Sequence, residues 1–220
     1  MPNTLRFDHV SPPDDLMAFD ASADAVVLIP VKAFGRAKER LSPALDDRRR
    51  AEFARAMADV VVTAAAPLPV AVVCDDDDVA SWASGHGAQI IWTPGLGLNG
   101  AVQVATGRVA AAGIGRAVIV HADLPFAAEL SGYADFGSDV VALTPDRRRD
   151  GTNVMSVPAR SGFRFAYGAG SFDAHRAEAE RCGLVVVTVE AEHLAWDVDR
   201  PDDLAPPDHL GQLPLPGVSR

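Results

Sequence analysis

Apolar positions along the chain fall into short β-branched runs separated by stretches of helical period. Residues 25–31 (Ala-Val-Val-Leu-Ile-Pro-Val) form an unbroken apolar run and predict a strand buried on both faces. Pro43 then opens a helical stretch whose Leu45, Phe53, Met57, Val60 and Val61 fall on one face. Arg48, Arg49, Arg50, Glu52 and Arg55 supply its wet face. Further strands are predicted over 70–74, 89–92, 116–120, 139–143 and 184–188, with helices over 79–84 and 100–112. Apolar strands alternating with helices indicate an α/β fold: a mostly parallel central sheet flanked by helices.

Residues 1–23 mix Pro, Asp and isolated apolars (Pro12-Pro13-Asp14-Asp15) without a period and read as an N-terminal extension. One domain is expected over 24–206. The Pro-rich stretch 207–220 is expected to be a fraying tail. No internal repeat interrupts this order.

Charge narrows the function classes. The 220 residues include 30 acidic against 20 basic side chains, a formal charge of −10, which argues against nucleic-acid or anionic-membrane partners. Cys74 and Cys182 lie far apart, so a disulfide scaffold or Cys-based zinc site is not expected and a reducing cytoplasm is the default. No apolar stretch reaches membrane-spanning length, and no secretory leader pattern opens the chain.

In an open parallel sheet, ligands bind beyond the carboxyl ends of the strands, so polar residues at those ends are the candidates. Four segments qualify. Lys32, Arg36, Lys38 and Arg40 follow the first strand and concentrate cations on an acidic protein, which suits an anionic ligand such as a triphosphate or else a solvated loop. Neither GxxxxGK[ST] nor GxGxxG follows that strand. Asp123, after 118–120, is placed to hold Mg²⁺ against phosphate oxygens or to cap a helix. Alternation in Asp197-Val198-Asp199 aims both carboxylates to one side, where a cation or proton must neutralise them. Asp202 and Asp203 fit the first turn of a short helix opened by Pro201 and read as caps. The fourth segment joins Asp150-Gly151-Thr152-Asn153 with Tyr167-Gly168-Ala169-Gly170-Ser171-Phe172, either turns or backbone cradles for an anion.

Other conspicuous residues read as structural. Asp75-Asp76-Asp77-Asp78 stands where a helix N-terminus wants acids, with Asp75 or Asp76 the exception to watch. His86, His121, His175 and His193 have no partner at metal spacing and read as structural or exposed.

Taken together, these segments resemble the CofC/FbiD guanylyltransferases. The likeness rests on Ile29-Pro30-Val31-Lys32, Ala37-Lys38-Glu39-Arg40-Leu41, Gly97-Leu98-Asn99-Gly100-Ala101, Asp123-Leu124-Pro125, Asp150-Gly151-Thr152-Asn153, Tyr167-Gly168-Ala169-Gly170-Ser171-Phe172 and Asp197-Val198-Asp199-Arg200-Pro201. The segments stand in family order over about residues 25–204. Phe126 stands where a leucine is expected after Asp-Leu-Pro, and 1–23 is an extra stretch; neither touches a candidate residue.

The resemblance implies a GT-A-like (Rossmann-like) nucleotidyltransferase fold. It also implies a reaction: GTP and a small phosphorylated carboxylic acid give a guanosine diphospho-acid, a precursor of coenzyme F-420, and pyrophosphate. Phosphoenolpyruvate is the acid the Ala- and Arg-rich composition favours, with 2-phospho-L-lactate and 3-phospho-D-glycerate as alternatives. The resemblance assigns Mg²⁺ to Asp123 and Asp197, with Asp199 as the alternative to Asp197, and the acid to Thr152, Gly168 and Ser171. Lys32, Lys38 and Arg40 are assigned to the triphosphate, and Pro30, Asn99 and Gly100 to the nucleotide. Homodimerisation is left open. The rival readings are a sugar-transferring GT-A enzyme, a molybdenum cofactor guanylyltransferase and a catalytically silent nucleotide-binding module. Against the second stands the lack of a Gly-rich GxxxR loop after the first strand, where this chain has Pro30-Val31-Lys32.

Overall fold

Continuous apolar sequence places β1 (Ala25–Pro30) inside the sheet, because only a strand covered on both faces can bury consecutive side chains, here Ala25 to Ile29. The computed structural model describes Phe19 and residues 23–215. β1 pairs in parallel with β2 (Val70–Cys74) and with β4 (Arg116–Val120), and β2 pairs in parallel with β3 (Gln89–Trp92). Beyond β4 the sheet continues through β6 (Thr152–Pro158), β5 (Val140–Pro145) and β7 (Val185–Thr188). The full order is β3-β2-β1-β4-β6-β5-β7. Six strands share one direction; β6 runs against both neighbours. The predicted mostly parallel sheet is therefore observed, with one reversed strand inside it.

The two faces of β1 feed two cores. Val27 and Ile29 pack with Val72, Val118 and the buried faces of α1 (Asp47–Ala64) and α2 (Asp77–Gly85). Val26 and Leu28 pack with Ala71, Ile119 and the inner faces of α3 (Gly97–Ala111) and α4 (Ser171–Arg181). Aspartates cap both helices: Asp46 accepts from Arg49 N–H at 2.8 Å at the start of α1, and Asp76 from Val79 N–H at 3.1 Å at the start of α2. The cap reading of the 75–78 run therefore holds for Asp76.

Several expectations change. Arg50 is buried rather than on the wet face of α1, donating to Asp47 at 2.6 Å and to the Ala37 carbonyl at 3.3 Å. The sequence pattern predicts neither β6 nor α4. In the stretch assigned to a fraying tail, Leu213 and Leu215 pack against Leu41, Phe53, Met57 and Val198. Phe19, within the assigned extension, is buried in the core with Val26 and Leu28; the remainder of 1–22 and residues 216–220 lie outside the described residues. No helix among the described residues is long and apolar enough to cross a membrane.

Candidate active site

The reversed direction of β6 positions the site. Because β6 pairs antiparallel to β4, with Val120 opposite Val154, its first residue, Thr152, emerges at the edge where β4 ends. The His121 amide donates to the Asn153 carbonyl at 3.0 Å, fixing the segment that carries Asp123 alongside Thr152. On the other side, the Val198 amide donates to the Asp123 carbonyl at 3.3 Å. Asp123 and the Asp-Val-Asp segment, more than seventy positions apart in sequence, are thus joined through backbone.

Between them lies Lys38. Its ammonium donates to Asp123 Oδ2 at 2.5 Å and to Asp199 Oδ1 at 2.9 Å. The side chain, 9% exposed, is folded inward among the acids rather than standing out in the loop toward solvent. The backbone of Lys38 is left-handed (φ 57°), a conformation that costs a non-glycine residue on the order of 1 kcal/mol or more. The loop accepts that cost and carries the ammonium inward. Arg40, 73% exposed, stands 3.9 Å from Asp199. Lys32 is exposed on the same loop, and Pro30 ends β1.

The carboxylates remain under-satisfied. Asp123 Oδ1 and Asp197 Oδ1 are shielded from solvent and have no hydrogen-bond partner among the described residues. For Asp123, burial would raise the pKa, but the Lys38 ammonium outweighs it and holds the carboxyl below its ordinary range. Asp197 is pushed up to about 6, by burial first and then by repulsion from Asp123 and Asp199. Lys38 is held above its ordinary value, the pull of the two aspartates exceeding the cost of burial. Among the described residues no three His, Cys, Asp or Glu side chains close into a complete metal cage. The donor set nevertheless fits a hard divalent cation, which takes carboxylate oxygens and completes its shell with water and substrate phosphate.

The Asp-Val-Asp segment is held from behind by Asp203. Its Oδ2 accepts the amides of Asp199 (2.8 Å) and Arg200 (2.7 Å), as the predicted cap requires. Its Oδ1 accepts from Arg147 and from Arg148 (2.7 Å). Arg147 also lies 4.0 Å over the Trp196 ring and donates to the Asp197 carbonyl at 3.3 Å. Nothing in the sequence marked these arginines. They belong to an Arg-Arg-Arg run on the β5–β6 turn, and only the fold brings them under Asp203.

A second group gathers around Thr152. Asp150 Oδ1 accepts from Gly170 N–H at 3.0 Å and its carbonyl from Phe172 N–H at 3.1 Å, so the two predicted Gly-rich segments meet. Gly168 and Gly170 both have positive φ (140° and 69°), which lets this turn lead into α4. Ser171 is the first residue of α4 and is buried. The Thr152 hydroxyl lies 3.0 Å from His175 Nδ1. The Tyr167 ring packs 5.0 Å from His121 and so connects this group to the aspartate cluster. Asn99, in the first turn of α3, spends both ends of its amide on the Tyr167 backbone: Oδ1 accepts from N–H at 2.7 Å and Nδ2 donates to the carbonyl at 3.1 Å.

The family described as guanylyl transferase CofC like matches residues 25–206. The chain belongs to that family. Phosphoenolpyruvate guanylyltransferase from Sphaerobacter thermophilus is 32% identical over 186 residues, covering 81% of this chain and 90% of the relative. The protein of the same name from Rubrobacter xylanophilus is 33% identical over 185 residues, covering 81% and 90%. Among solved structures, a nucleotidyl transferase from Methanothermobacter superposes with a TM-score of 0.56 at 13% identity, covering 81% of this chain and 93% of that one. Glucosyl-3-phosphoglycerate synthase from Mycobacterium tuberculosis, solved with Mn²⁺ and UDP, superposes with a TM-score of 0.52 at 16% identity, covering 83% and 75%.

In this guanylyl transferase, then, eight of the twelve sequence-predicted residues fall into two connected groups, with Pro30, Lys32, Asn99 and Gly100 outside them. Lys38, Arg40, Asp123, Asp197 and Asp199 form one, and Thr152, Gly168 and Ser171 form the other. Gly100 shares the first turn of α3 with Asn99, where an added Cβ would come within 3.1 Å of Leu96 Cβ. Sequence reasoning missed Arg147, Arg148 and His175 as parts of the site's frame.

Proposed function

We propose that this chain transfers the guanylyl group of GTP to phosphoenolpyruvate, giving enolpyruvoyl-2-diphospho-5′-guanosine and pyrophosphate in the assembly of coenzyme F-420. The observation that carries the reading is the junction of Asp123 with Asp197-Val198-Asp199 around one buried ammonium, with two carboxylate oxygens left without partners. Membership in the guanylyl transferase family and the names of the Sphaerobacter and Rubrobacter relatives support the choice of nucleotide and acid.

Two anions must meet in this reaction: an acceptor phosphate oxygen attacks the α-phosphorus of GTP, and the bond to pyrophosphate breaks. Asp123 together with Asp197 or Asp199 would hold Mg²⁺, which when bound supplies positive charge that screens the repulsion between the two phosphates. The protein's own work is positioning and charge. Asp123 and Asp199 orient Lys38, whose ammonium remains protonated and available to phosphate oxygens. Arg40 and Lys32 extend the positive face toward the leaving pyrophosphate. Thr152, Gly168 and Ser171 present hydroxyls and backbone amides to the acid, with the Asn99–Tyr167 bracket fixing the wall between acid and nucleotide. The acceptor phosphate is already anionic near neutral pH, so the scheme needs no general base and assigns none.

The test is pyrophosphate release in Mg²⁺ buffer with GTP and each of the three acids in turn. Rapid release with phosphoenolpyruvate is expected. Release with another acid only would reassign the substrate; consumption of a nucleotide sugar instead of GTP would overturn the reaction class.

A further inference from the structure

A residue of α4 sets the orientation of the Thr152 hydroxyl. His175 is fully buried, one helical turn beyond Ser171 on the inward face of α4. Aromatic rings hem it in, with Tyr167 edge-on at 4.7 Å and Phe163 at 5.9 Å. Its two ring nitrogens have different neighbours. Nε2 lies 3.0 Å from the Ala166 backbone N–H, and Nδ1 lies 3.0 Å from Thr152 Oγ1.

A backbone amide can only donate, so Nε2 must offer its lone pair. A neutral imidazole then carries its single proton on Nδ1. Burial, the larger cause, and the nearby His121 keep the ring neutral by lowering its pKa to about 4. Nδ1–H therefore donates to Thr152 Oγ1, and the Thr152 hydroxyl proton must point elsewhere. Among the described residues no acceptor for that proton is found, although Thr152 is itself buried. A buried hydroxyl whose oxygen already accepts from Nδ1–H and whose proton is left to donate away from that partner is suited to an anion.

We propose that His175 is a positioning residue of the acceptor subsite: through the Ala166 amide it is locked as an Nδ1–H donor, and it thereby commits the Thr152 hydroxyl to donate to the carboxylate or phosphate of the acceptor acid. This inference rests on the assignment of Thr152 to the acceptor. His175 acts only through Thr152, exchanges no proton with substrate and takes no part in the bond changes at phosphorus.

Two side chains separate the halves of the device. Asn at 175 can keep a donor near the Nδ1 position but cannot reach Ala166; Gln can keep an acceptor near Nε2 but not the donor to Thr152. His175→Gln is expected to raise KM for the acceptor at least ~10-fold, the scale of losing a hydrogen bond to a charged group, with KM for GTP unchanged. His175→Asn should recover part of that loss. Once Thr152→Val has removed the hydroxyl, adding His175→Gln should raise the acceptor KM by less than ~2-fold more, since the two act in series.

The controls keep the two readings apart. If Thr152→Val leaves the acceptor KM unchanged, the assignment of Thr152 to the acceptor fails. If Thr152→Val raises it and His175→Gln does not, or if the two effects multiply, the role of His175 fails. Nitrogen-15 NMR of the wild-type full chain tests the premise without any variant: an Nδ1–H tautomer is expected, and an Nε2–H tautomer would overturn the proposal.

Discussion

Asp197 and Asp203 lie six positions apart, both buried, and meet opposite fates. Asp203 accepts two backbone amides and two guanidinium groups, and these partners pull its pKa down to about 2 against the effect of burial. Asp197 has one oxygen with no partner, and burial among other carboxylates raises it to about 6. The difference teaches where structure ends and chemistry begins. A carboxylate with every lone pair engaged holds the chain in place, whereas one left wanting is a candidate for chemistry, here the proposed cation site. Asp203 fixes the geometry that Asp197 and Asp199 need but cannot provide for themselves.

The comparison can be broken most forcefully at its satisfied member. Asp203→Ala leaves Arg147 and Arg148 without their shared carboxylate and frees two amides, and should cost about 3–5 kcal/mol in chemical denaturation. A loss below about 1 kcal/mol would show that the clamp does not hold the segment.

On the unsatisfied side, Asp123→Asn should lower turnover at least ~100-fold, the scale of losing one preorganised charge contact, with the fold intact. A near-wild-type rate would remove Asp123 from the reacting centre.

Asp197→Asn sharpens the contrast, because activity and stability should move in opposite directions. It should lower turnover while stabilising the metal-free protein at neutral pH by about 3 kcal/mol. The sign follows from linkage. The folded state holds the Asp197 proton up to about pH 6, while the unfolded carboxyl releases it near its ordinary value of 3.8. Between these values the folded state binds more protons, so this group's contribution to stability falls as pH rises. The advantage of the variant should therefore be absent at pH 4, grow through pH 6 and then level off. Denaturation midpoints of both proteins across that range measure it; a constant difference would contradict the assignment.

The smallest effect is expected from Arg40→Ala. Exposed and 3.9 Å from Asp199, Arg40 should contribute under about 1 kcal/mol to stability, with the larger change in KM for GTP. A stability loss as large as that of Asp203→Ala would show the two ends of the site to be mechanically alike.

How much of this was legible beforehand follows from the same physics. β1, β2 and β4 announce themselves because strands buried in the interior of the sheet need near-continuous apolar runs, whereas β3, half-buried at the sheet edge, is legible only through Ile90-Ile91-Trp92. β6 (Thr-Asn-Val-Met-Ser-Val-Pro) hides because its polar residues are satisfied inside: Asn153 donates to the Leu194 carbonyl and Ser156 to that of Tyr133. α4 hides because its inward face carries Ser171, Phe172, His175 and Ala179, only two of them apolar by type. Asp123, Asp197 and Asp199 were readable from their strand-end and alternating positions. That Lys38 bridges Asp123 and Asp199, and that Arg147 and Arg148 anchor Asp203, depends on contacts spanning 55 to 161 positions, which no local pattern encodes.

The most direct measurement is a carboxyl carbon-13 titration of Asp197 in the full chain, with and without Mg²⁺ and GTP. A midpoint near 6 in the metal-free protein, moving sharply downward when the cation is added, is the predicted result. A midpoint near 4 that ignores the cation would contradict the claim that this carboxylate is kept unsatisfied for it.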